Sequence, residues 1–563
     1  MRIGRGDTFR PPVIAPTASA PPLTVEERRQ PLPGAAAGGA EAAGWRWALI
    51  WIVVAALLRA VLSSLVPLLP DETYYWLWTH RIEAGYFDHP PGIAFLIRLG
   101  TLLFGETTIG VRTGPAIAAL LTHVTAVMAA WYLAGKGEAG ARSASRAALL
   151  LLVIPIATLG LVLATPDAAL FAMATAAILG VERALAAPLR SWSGFGWWTL
   201  AGVCLGAAFV AKYTAVLLPL GLVVACLMHP ALRARFREGG PWWASVIALT
   251  LFAPVVLWNY VHEWISFRFQ LGHGFNPSVR GSVLSRELEL LGGQAGLASP
   301  ILFVLLAMTV WYAARDGWRS RHSAQPTDAS VRRFALAVIS VVPMLFFAVS
   351  ASRRSVEANW PALIYPSAVL LLATETRTFA MSRWWTRGVA FAAFLLLVVS
   401  LQAWRPLLPL APRKDPIARA HGWVALAAAV ERARKDPFLD GTVDRWVATN
   451  RYQESAEVAF HLPDQPMVFS LNINSRPNQF DLWETAYDEV RLGDGMVAVF
   501  DDNPDGDALG VRVGAWFAES KRGEAVELRR GDGVVTTRRI WLYRIARNVP
   551  ARPRELPSLS GAR

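Results

Sequence analysis

The stretch LLPDETYYWLWTHRIEAGYFDHPPG, Leu68 to Gly92, follows directly on the first long apolar run of this chain and decides how the rest is read. It places Asp71 and Glu72 behind Pro70 at the mouth of an apolar segment. A dense set of aromatics and the tetrad Asp88-His89-Pro90-Pro91 follow. Acids held at a bilayer surface are costly and mark functional sites by default.

Working outward, the chain alternates long apolar runs with short charged connections. Of its 563 residues 54% are hydrophobic, only 17% are charged, and 24 are Trp. Runs of roughly 16–25 apolar residues are each long enough to cross about 30 Å of hydrocarbon, with some short or tilted. Eleven are read, near 45–69, 110–134, 145–163, 166–186, 196–211, 213–229, 242–260, 298–315, 333–351, 358–375 and 386–404; with two more hidden, for instance in the Gly-rich 283–297 region, the count is eleven to thirteen. The fold class is therefore an α-helical polytopic membrane protein.

The net charge of +13 does not imply nucleic acid as a partner, because the arginines sit between apolar runs. Cytoplasmic loops collect such residues. With residues 1–44, rich in Pro, Ala, Gly and Arg, read as a disordered cytoplasmic tail, Lys136, Arg142 and Arg146, then Arg183 and Arg190, then Arg233, Arg235 and Arg237, all fall inside. A cleaved signal peptide is not expected, since the first run starts late and is long. An odd number of spans places the C-terminal region outside. Cys204 and Cys226 both lie in apolar runs, which leaves no disulfide framework and no cysteine metal site.

From about residue 405 the character changes. A Pro-rich linker leads to helical spacing over His421–Arg434 and to alternating stretches at Met467–Ile473, Met496–Asp501, Glu524–Arg530 and Val534–Arg544. Gly531-Asp532-Gly533 makes the last two a hairpin, so the tripeptide Arg530-Gly531-Asp532 is read as a turn and not as an adhesion signal. Residues 405–563 form a small extracytoplasmic α/β domain, and 45–404 the transmembrane domain.

Counting spans brings Asp71, Glu72, Asp88, His89, Asp167, Lys212, His262, Arg268, His273, Arg353 and Arg354 to one membrane face. For Asp71-Glu72 three readings stay open: a general base for a hydroxyl, a cation site, or a helix end. Tyr74, Tyr75, Trp76 and Trp78 read either as an interfacial belt or as a platform for a sugar ring. Thr165 is the expected cap of the helix that starts at Pro166, with Asp167 in its first turn, where the helix dipole favours an anion. Cations outside run against the charge rule; Lys212, Arg268, Arg353 and Arg354 hold a bound anion or snorkel to the interface. The spacing of His262, Glu263 and His273 matches no zinc pattern. Carboxylates for proton transfer beside cations for an anion suit transfer of a group from a lipid phosphate.

PDETYYWLWTH, GYFDHPPGIAFLIRL, ATPDAALF, AKYTAVLLPLGL and EANWPALIYPSAVLLLA together resemble the polyprenyl-phosphate-dependent glycosyltransferases, the protein O-mannosyltransferase and aminoarabinose-transferase relatives of glycosyltransferase families 39 and 83, over roughly residues 45–405. The resemblance implies the GT-C fold, a bacterial inner-membrane location, a sugar donor on undecaprenyl or dolichyl phosphate, and transfer with inversion to a glycan, lipid or protein acceptor. It matches the catalytic acid of the family to Asp71, with Glu72 beside it, and the second essential acid to Asp167. Tyr74, Tyr75, Asp88, His89, Lys212, Arg268, Arg353 and Arg354 are the implied substrate-binding set. Where the aminoarabinose transferases have a phosphate-binding Lys this chain has His89, so Lys212, Arg268 or Arg353 is expected to supply that charge. No cofactor is required; a divalent cation stays open. The competing class is a transporter or flippase of lipid-linked sugars.

Overall fold

The structure, a computed structural model, describes residues 33–275, 281–323, 328–377, 382–473 and 475–550. Most of it is helical. Among the described residues eight helices are long and apolar enough to cross a membrane: Gly38–Leu65, Thr108–Leu133, Pro166–Ala186, Trp192–Ala211, Gly239–Val261, Pro300–Ser320, Asp328–Ala351 and Ser382–Trp404. Tyr213–Met228 with Pro230–Arg237, bent by 115°, makes a ninth if the pair is one span. The helix of the first span begins at Pro33, inside the stretch expected to be tail; residues 1–32 lie outside the described residues.

The eleven to thirteen spans expected from the sequence exceed this count, for physical reasons that differ by segment. The run at 145–163 is broken at Pro155, which cannot donate to a helix. A helix ends at Val153, a single turn covers Pro155–Thr158, and an irregular stretch leads on to Thr165. The backbone freed there is bonded by Arg59 of the first span, 4% exposed, whose guanidinium donates to the Ala157 carbonyl (2.7 Å) and the Thr158 carbonyl (3.4 Å). The run at 358–375 is a 3-10 turn, Trp360–Ile364, followed by the short helix Tyr365–Ala373, every residue of which is buried by its neighbours. The Gly-rich segment is the 16-residue helix Val283–Ala298, with Val283, Leu284, Leu288 and Leu291 exposed along it, an amphipathic helix and not a span.

Between the first two spans lie the helices Pro70–Trp78 and Gly92–Phe104. Gly92 follows the Asp88–Pro91 turn because nothing larger fits: a Cβ there would stand 2.7 Å from the Ala211 Cα. That close approach seats the turn on the helix end that delivers Lys212.

After the last span comes a five-stranded mixed sheet: β1 Arg445–Thr449, β2 Val468–Ser470, β3 Gly495–Asp501, β4 Phe517–Arg530 and β5 Gly533–Ala546, in the order β2-β1-β3-β5-β4. β1 runs parallel to β2 and β3; β5 is antiparallel to β3 and β4. The β4–β5 hairpin turns at Gly531 (φ +56°). Arg530 is buried against Asp415 and the Gln402 carbonyl, so the tripeptide at the turn is structural and pins the sheet to the end of the last span. β1 is the strand the alternation did not reveal; it is short and reads RWVAT.

One apolar core fills the helical bundle. A second joins the first loop to the sheet region, with Tyr74, Trp76, Trp78, Ile93 and Ile97 in the same cluster as Trp423, Leu426, Val430, Phe460 and Phe480.

Candidate active site between the first loop and the sheet domain

Asp71 and Glu72 are neighbours in sequence and part company in space. Successive residues on a helix point about 100° apart. Glu72 is fully buried. Its Oε1 accepts from Arg112 Nε (2.8 Å) and the Ala164 amide (2.8 Å), and its Oε2 from Arg112 Nη2 (2.6 Å) and the Leu69 amide (2.9 Å). Arg112 in turn donates to the carbonyls of Ser63, Val66 and Pro67. With both oxygens doubly bonded, Glu72 clamps the end of the first span, the first-loop helix and the stretch leading to Asp167; the pairing of Glu72 with Asp71 as a catalytic acid does not agree with that geometry.

Asp71 faces the sheet domain. Burial pushes its carboxyl above the usual aspartate range; Arg419 and a hydrogen bond from Gln453 oppose that shift, Asp88 adds to it, and Arg476 opposes it again. Asp88, 5% exposed, accepts from Tyr74 Oη (2.6 Å) and Arg476 Nη1 (2.9 Å), while its carbonyl accepts from Gln270. Arg476 Nη2 reaches Tyr452 Oη (2.6 Å), and the guanidinium lies over the Tyr452 and Phe269 rings.

Asp167 lies in the first turn of the Pro166–Ala186 helix. Thr165 holds the cap position without a side-chain cap bond, so the expected cap is absent. Instead Asp167 Oδ1 accepts from Lys212 Nζ (2.8 Å) and Oδ2 from Asn359 Nδ2 (2.9 Å). Three acids converge on Tyr75: burial first, then the charges of Asp71, Asp88 and Asp167, raise its phenol well above the ordinary value. Asp71, Asp88 and Asp167 thus all stand near Tyr75.

The remaining expected residues divide. His89 is half-buried in the turn, its ring 6.2 Å from that of Tyr75. Arg268 is exposed, 3.8 Å from Glu263. Arg353 is exposed, and Arg354 Nη1 lies 3.5 Å from the Gly272 carbonyl. These three arginines contact none of the acids, because topology fixes the membrane face of a loop and not its distance from the centre. His262 stacks on Trp258 (4.0 Å); the His273 side chain lies outside the described residues. Among the described residues no three His, Cys, Asp or Glu are grouped to hold a metal ion.

The aromatics form neither an interfacial belt nor an open platform. Tyr74, Trp76 and Trp78 are almost fully buried: Tyr74 packs across the junction on Tyr452 (4.5 Å) and Trp76 edge-on to Phe460 (5.0 Å), while Trp78 stacks on Tyr86 (4.2 Å) within the first loop. The Gln479 amide donates to Tyr74 Oη (2.9 Å), and Gln479 Oε1 accepts from the Phe87 amide (2.7 Å).

Arg112, Asn359, Arg419, Tyr452, Gln453 and Arg476 were not singled out by sequence. Asn359 stands within EANWP, and Tyr452-Gln453 follow the end of β1 with two residues between, at the carboxyl edge where α/β sheets place ligands.

The family described as dolichyl-phosphate-mannose-protein mannosyltransferase matches residues 88–258, a stretch that contains Asp88, Asp167 and Lys212. The chain is similar to the lipid A galacturonosyltransferase RgtD of Rhizobium johnstonii, 27% identical over 312 residues covering 54% of this chain and 59% of that protein. It is also similar to the undecaprenyl phosphate-alpha-4-amino-4-deoxy-L-arabinose arabinosyl transferase of Pseudomonas paraeruginosa, 28% identical over 333 residues, covering 54% and 55%. The chain thus spans little more than half the length of the curated relatives it matches. The crystal structure of ArnT from Cupriavidus metallidurans bound to undecaprenyl phosphate superimposes with a TM-score of 0.58 at 16% identity, covering 88% of this chain and 98% of that one, which shows a shared GT-C fold.

Proposed function

On the premise that the chain is a GT-C protein of the polyprenyl-phosphate-dependent glycosyltransferase kind, we propose that it moves a sugar from an undecaprenyl-phosphate-type donor to an acceptor on the extracytoplasmic face of a bacterial inner membrane, with inversion. Asp71 takes the proton from an acceptor hydroxyl as that oxygen bonds the anomeric carbon. The anomeric carbon–oxygen bond to phosphate breaks, and its electron pair leaves with the polyprenyl phosphate. Fixed positive charge stabilises what the phosphate gains; Lys212, paired with Asp167 (2.8 Å), and Arg476, paired with Asp88 (2.9 Å), are the cations assigned to it in this reading. The N-terminus is assigned to the cytoplasm from loop charge, residues 45–404 to the membrane unit and 405–563 to an outer domain. The relative named as a lipid A galacturonosyltransferase makes lipid A the first acceptor to try.

The observation that carries this reading is the half-buried Asp71 carboxylate, faced by guanidinium and gathered with Asp88 and the Asp167–Lys212 pair around Tyr75. A transporter of lipid-linked sugars places its charged groups near the midplane, between repeats; here the acids gather at one end of the bundle, against a soluble domain. The test uses proteoliposomes holding radiolabelled undecaprenyl-phosphate aminoarabinose, galacturonic acid or mannose, with lipid A as acceptor. The wild-type protein is expected to release undecaprenyl phosphate from one of the three. Asp71→Asn, similar in size but unable to accept the proton, is expected to bind that donor and turn it over at least about a hundredfold more slowly. Wild-type turnover in Asp71→Asn removes Asp71 as the base.

A further inference from the structure

The acids of the chamber come from the membrane helices and the first loop; the groups that balance two of them come from elsewhere. Asp167 has its own cation, Lys212, from the membrane bundle. Asp71 and Asp88 have none there. The guanidinium bonded to Asp88 is Arg476, from the segment after β2. The side chain that offers Asp71 a hydrogen bond is Gln453, in the first turn of the Tyr452–His461 helix after β1, and the strongest opposing charge on it is Arg419, ahead of the Trp423–Arg434 helix. Arg419 is exposed and makes no ion pair among the described residues. These contacts are not chance grazing. Tyr74 Oη is shared between Asp88 and the Gln479 amide, and the aromatic core beneath runs without a break from the first loop into the sheet domain. Gln453 and Arg476 both come from segments that leave the carboxyl ends of the parallel strands β1 and β2, the edge at which α/β sheets carry ligands.

We propose that the sheet domain is a working part of the reaction centre: Gln453 and Arg419 orient Asp71 and balance its charge, Arg476 does the same for Asp88, and the chamber is complete only with the domain docked. The three act through the acids, as positioning residues. The proposal rests on the transferase reading and adds to it a task for a region that lies wholly outside the family match at 88–258. A carboxylate acting as base must keep one oxygen aimed at its proton donor, and a misplacement of about 1 Å costs on the order of a hundredfold in rate. Asp71 sits in the first turn of a short helix ending at Trp78; a bond from the far side of the junction fixes the rotamer that this helix alone leaves free.

Asp71 is faced by Tyr75 on its own helix, by Asp88 of the first loop, and by Arg419, Tyr452, Gln453, Glu457 and Arg476 of the sheet domain. Removing an opposing charge or a hydrogen bond makes its carboxylate harder to form. The full-length protein in proteoliposomes is assayed with the undecaprenyl-phosphate sugar that the wild type consumes. Arg419→Gln and Gln453→Ala are expected to move the acid limb of the kcat/KM profile upward by about half a pH unit or more, and Arg419→Lys to return it. Arg476→Gln is expected to lower kcat about tenfold with KM little changed, and Arg476→Lys to recover part of the loss. Thermal unfolding in detergent distinguishes these effects from misfolding, since Arg419 is exposed and its loss leaves the core intact. Arg419→Gln and Gln453→Ala that unfold like the wild type and keep its pH profile overturn the proposal. If the wild type consumes none of the donors, the transferase reading fails on its own; the positioning claim is then read from the Asp71 carboxylate band, assigned by infrared difference against Asp71→Asn. An upward shift of its titration in Arg419→Gln upholds the claim, and an unmoved titration sinks it.

Discussion

Glu72→Gln separates the two acids that sequence puts side by side. Each Glu72 oxygen accepts two donors, one from Arg112 and one backbone amide. Glutamine keeps the shape and one accepting oxygen. Its NH2 then faces a guanidinium N–H and an amide N–H that both need an acceptor, so two bonds, one of them charge-assisted, are lost and Arg112 is left charged without its counter-ion. Both side chains are buried, at 1% and 0% exposure, so water does not repair the loss. Removing one partner of a buried ion pair costs about 3–5 kcal/mol. The variant is therefore expected to unfold several degrees below the wild type in detergent. Combining it with Arg112→Met, which removes the stranded charge, should recover part of that loss, a coupling of about 1–3 kcal/mol between the two substitutions. In proteoliposomes at low temperature, where the variant stays folded, turnover per folded molecule should fall far less than in Asp71→Asn, because Glu72 holds the scaffold and does not itself take the proton. A Glu72→Gln protein that unfolds like the wild type but has lost turnover as Asp71→Asn does would refute the structural assignment.

Lys212→Met leaves Asp167 with Asn359 as its remaining partner and takes away the one cation that, among the described residues, the membrane bundle pairs with these three acids; kcat should fall about a hundredfold and Lys212→Arg should restore part of it, measured by the same donor consumption. Glu457 is fully buried, its nearest basic group the His461 imidazole at 3.4 Å, which burial itself pushes toward the neutral form. Burial first, then the charge of Glu72, lifts the Glu457 carboxyl well above its ordinary value. The folded protein therefore holds a proton that the unfolded chain releases above about pH 4.3, and stability from this group is lost as pH rises toward the lifted value. Glu457→Gln, neutral at every pH, should raise the unfolding temperature at pH 8 and change it little at pH 4; an equal effect at both would show that Glu457 is ionised in the fold.

The parts of this architecture legible in the sequence are those written in local pattern. Apolar length gave the long helices, and the break at Pro155 could be read from the proline itself. The acids at Pro70–Glu72 stood out because a bilayer surface makes them costly. Local pattern fails where the partner is distant in the chain. Trp76 and Trp78 carry the composition of an interfacial belt, yet the surface they meet arrives with Tyr452–Phe480. Arg268, Arg353 and Arg354 share a face with the acids by loop count yet contact none of them, since a loop count has no coordinate for depth or lateral distance.

Asp71 and Glu72 are the instructive pair. A motif match assigns them together, while helix geometry sends one carboxylate into Arg112 and the other toward Arg419 and Gln453. The buried pair holds the scaffold: through the Ala164 amide it fixes the approach to Asp167, and through the Leu69 amide it fixes the start of the helix that carries Asp71. Four bonds on one carboxylate are thus what lets two other carboxylates keep a fixed separation across two loops. A proton acceptor cannot serve that purpose itself, because every lone pair given to the scaffold is withdrawn from the substrate. Adjacent acids with divided labour are what this chemistry requires of a short helix at a membrane surface, and the division becomes visible only once the arginine from the second span is placed.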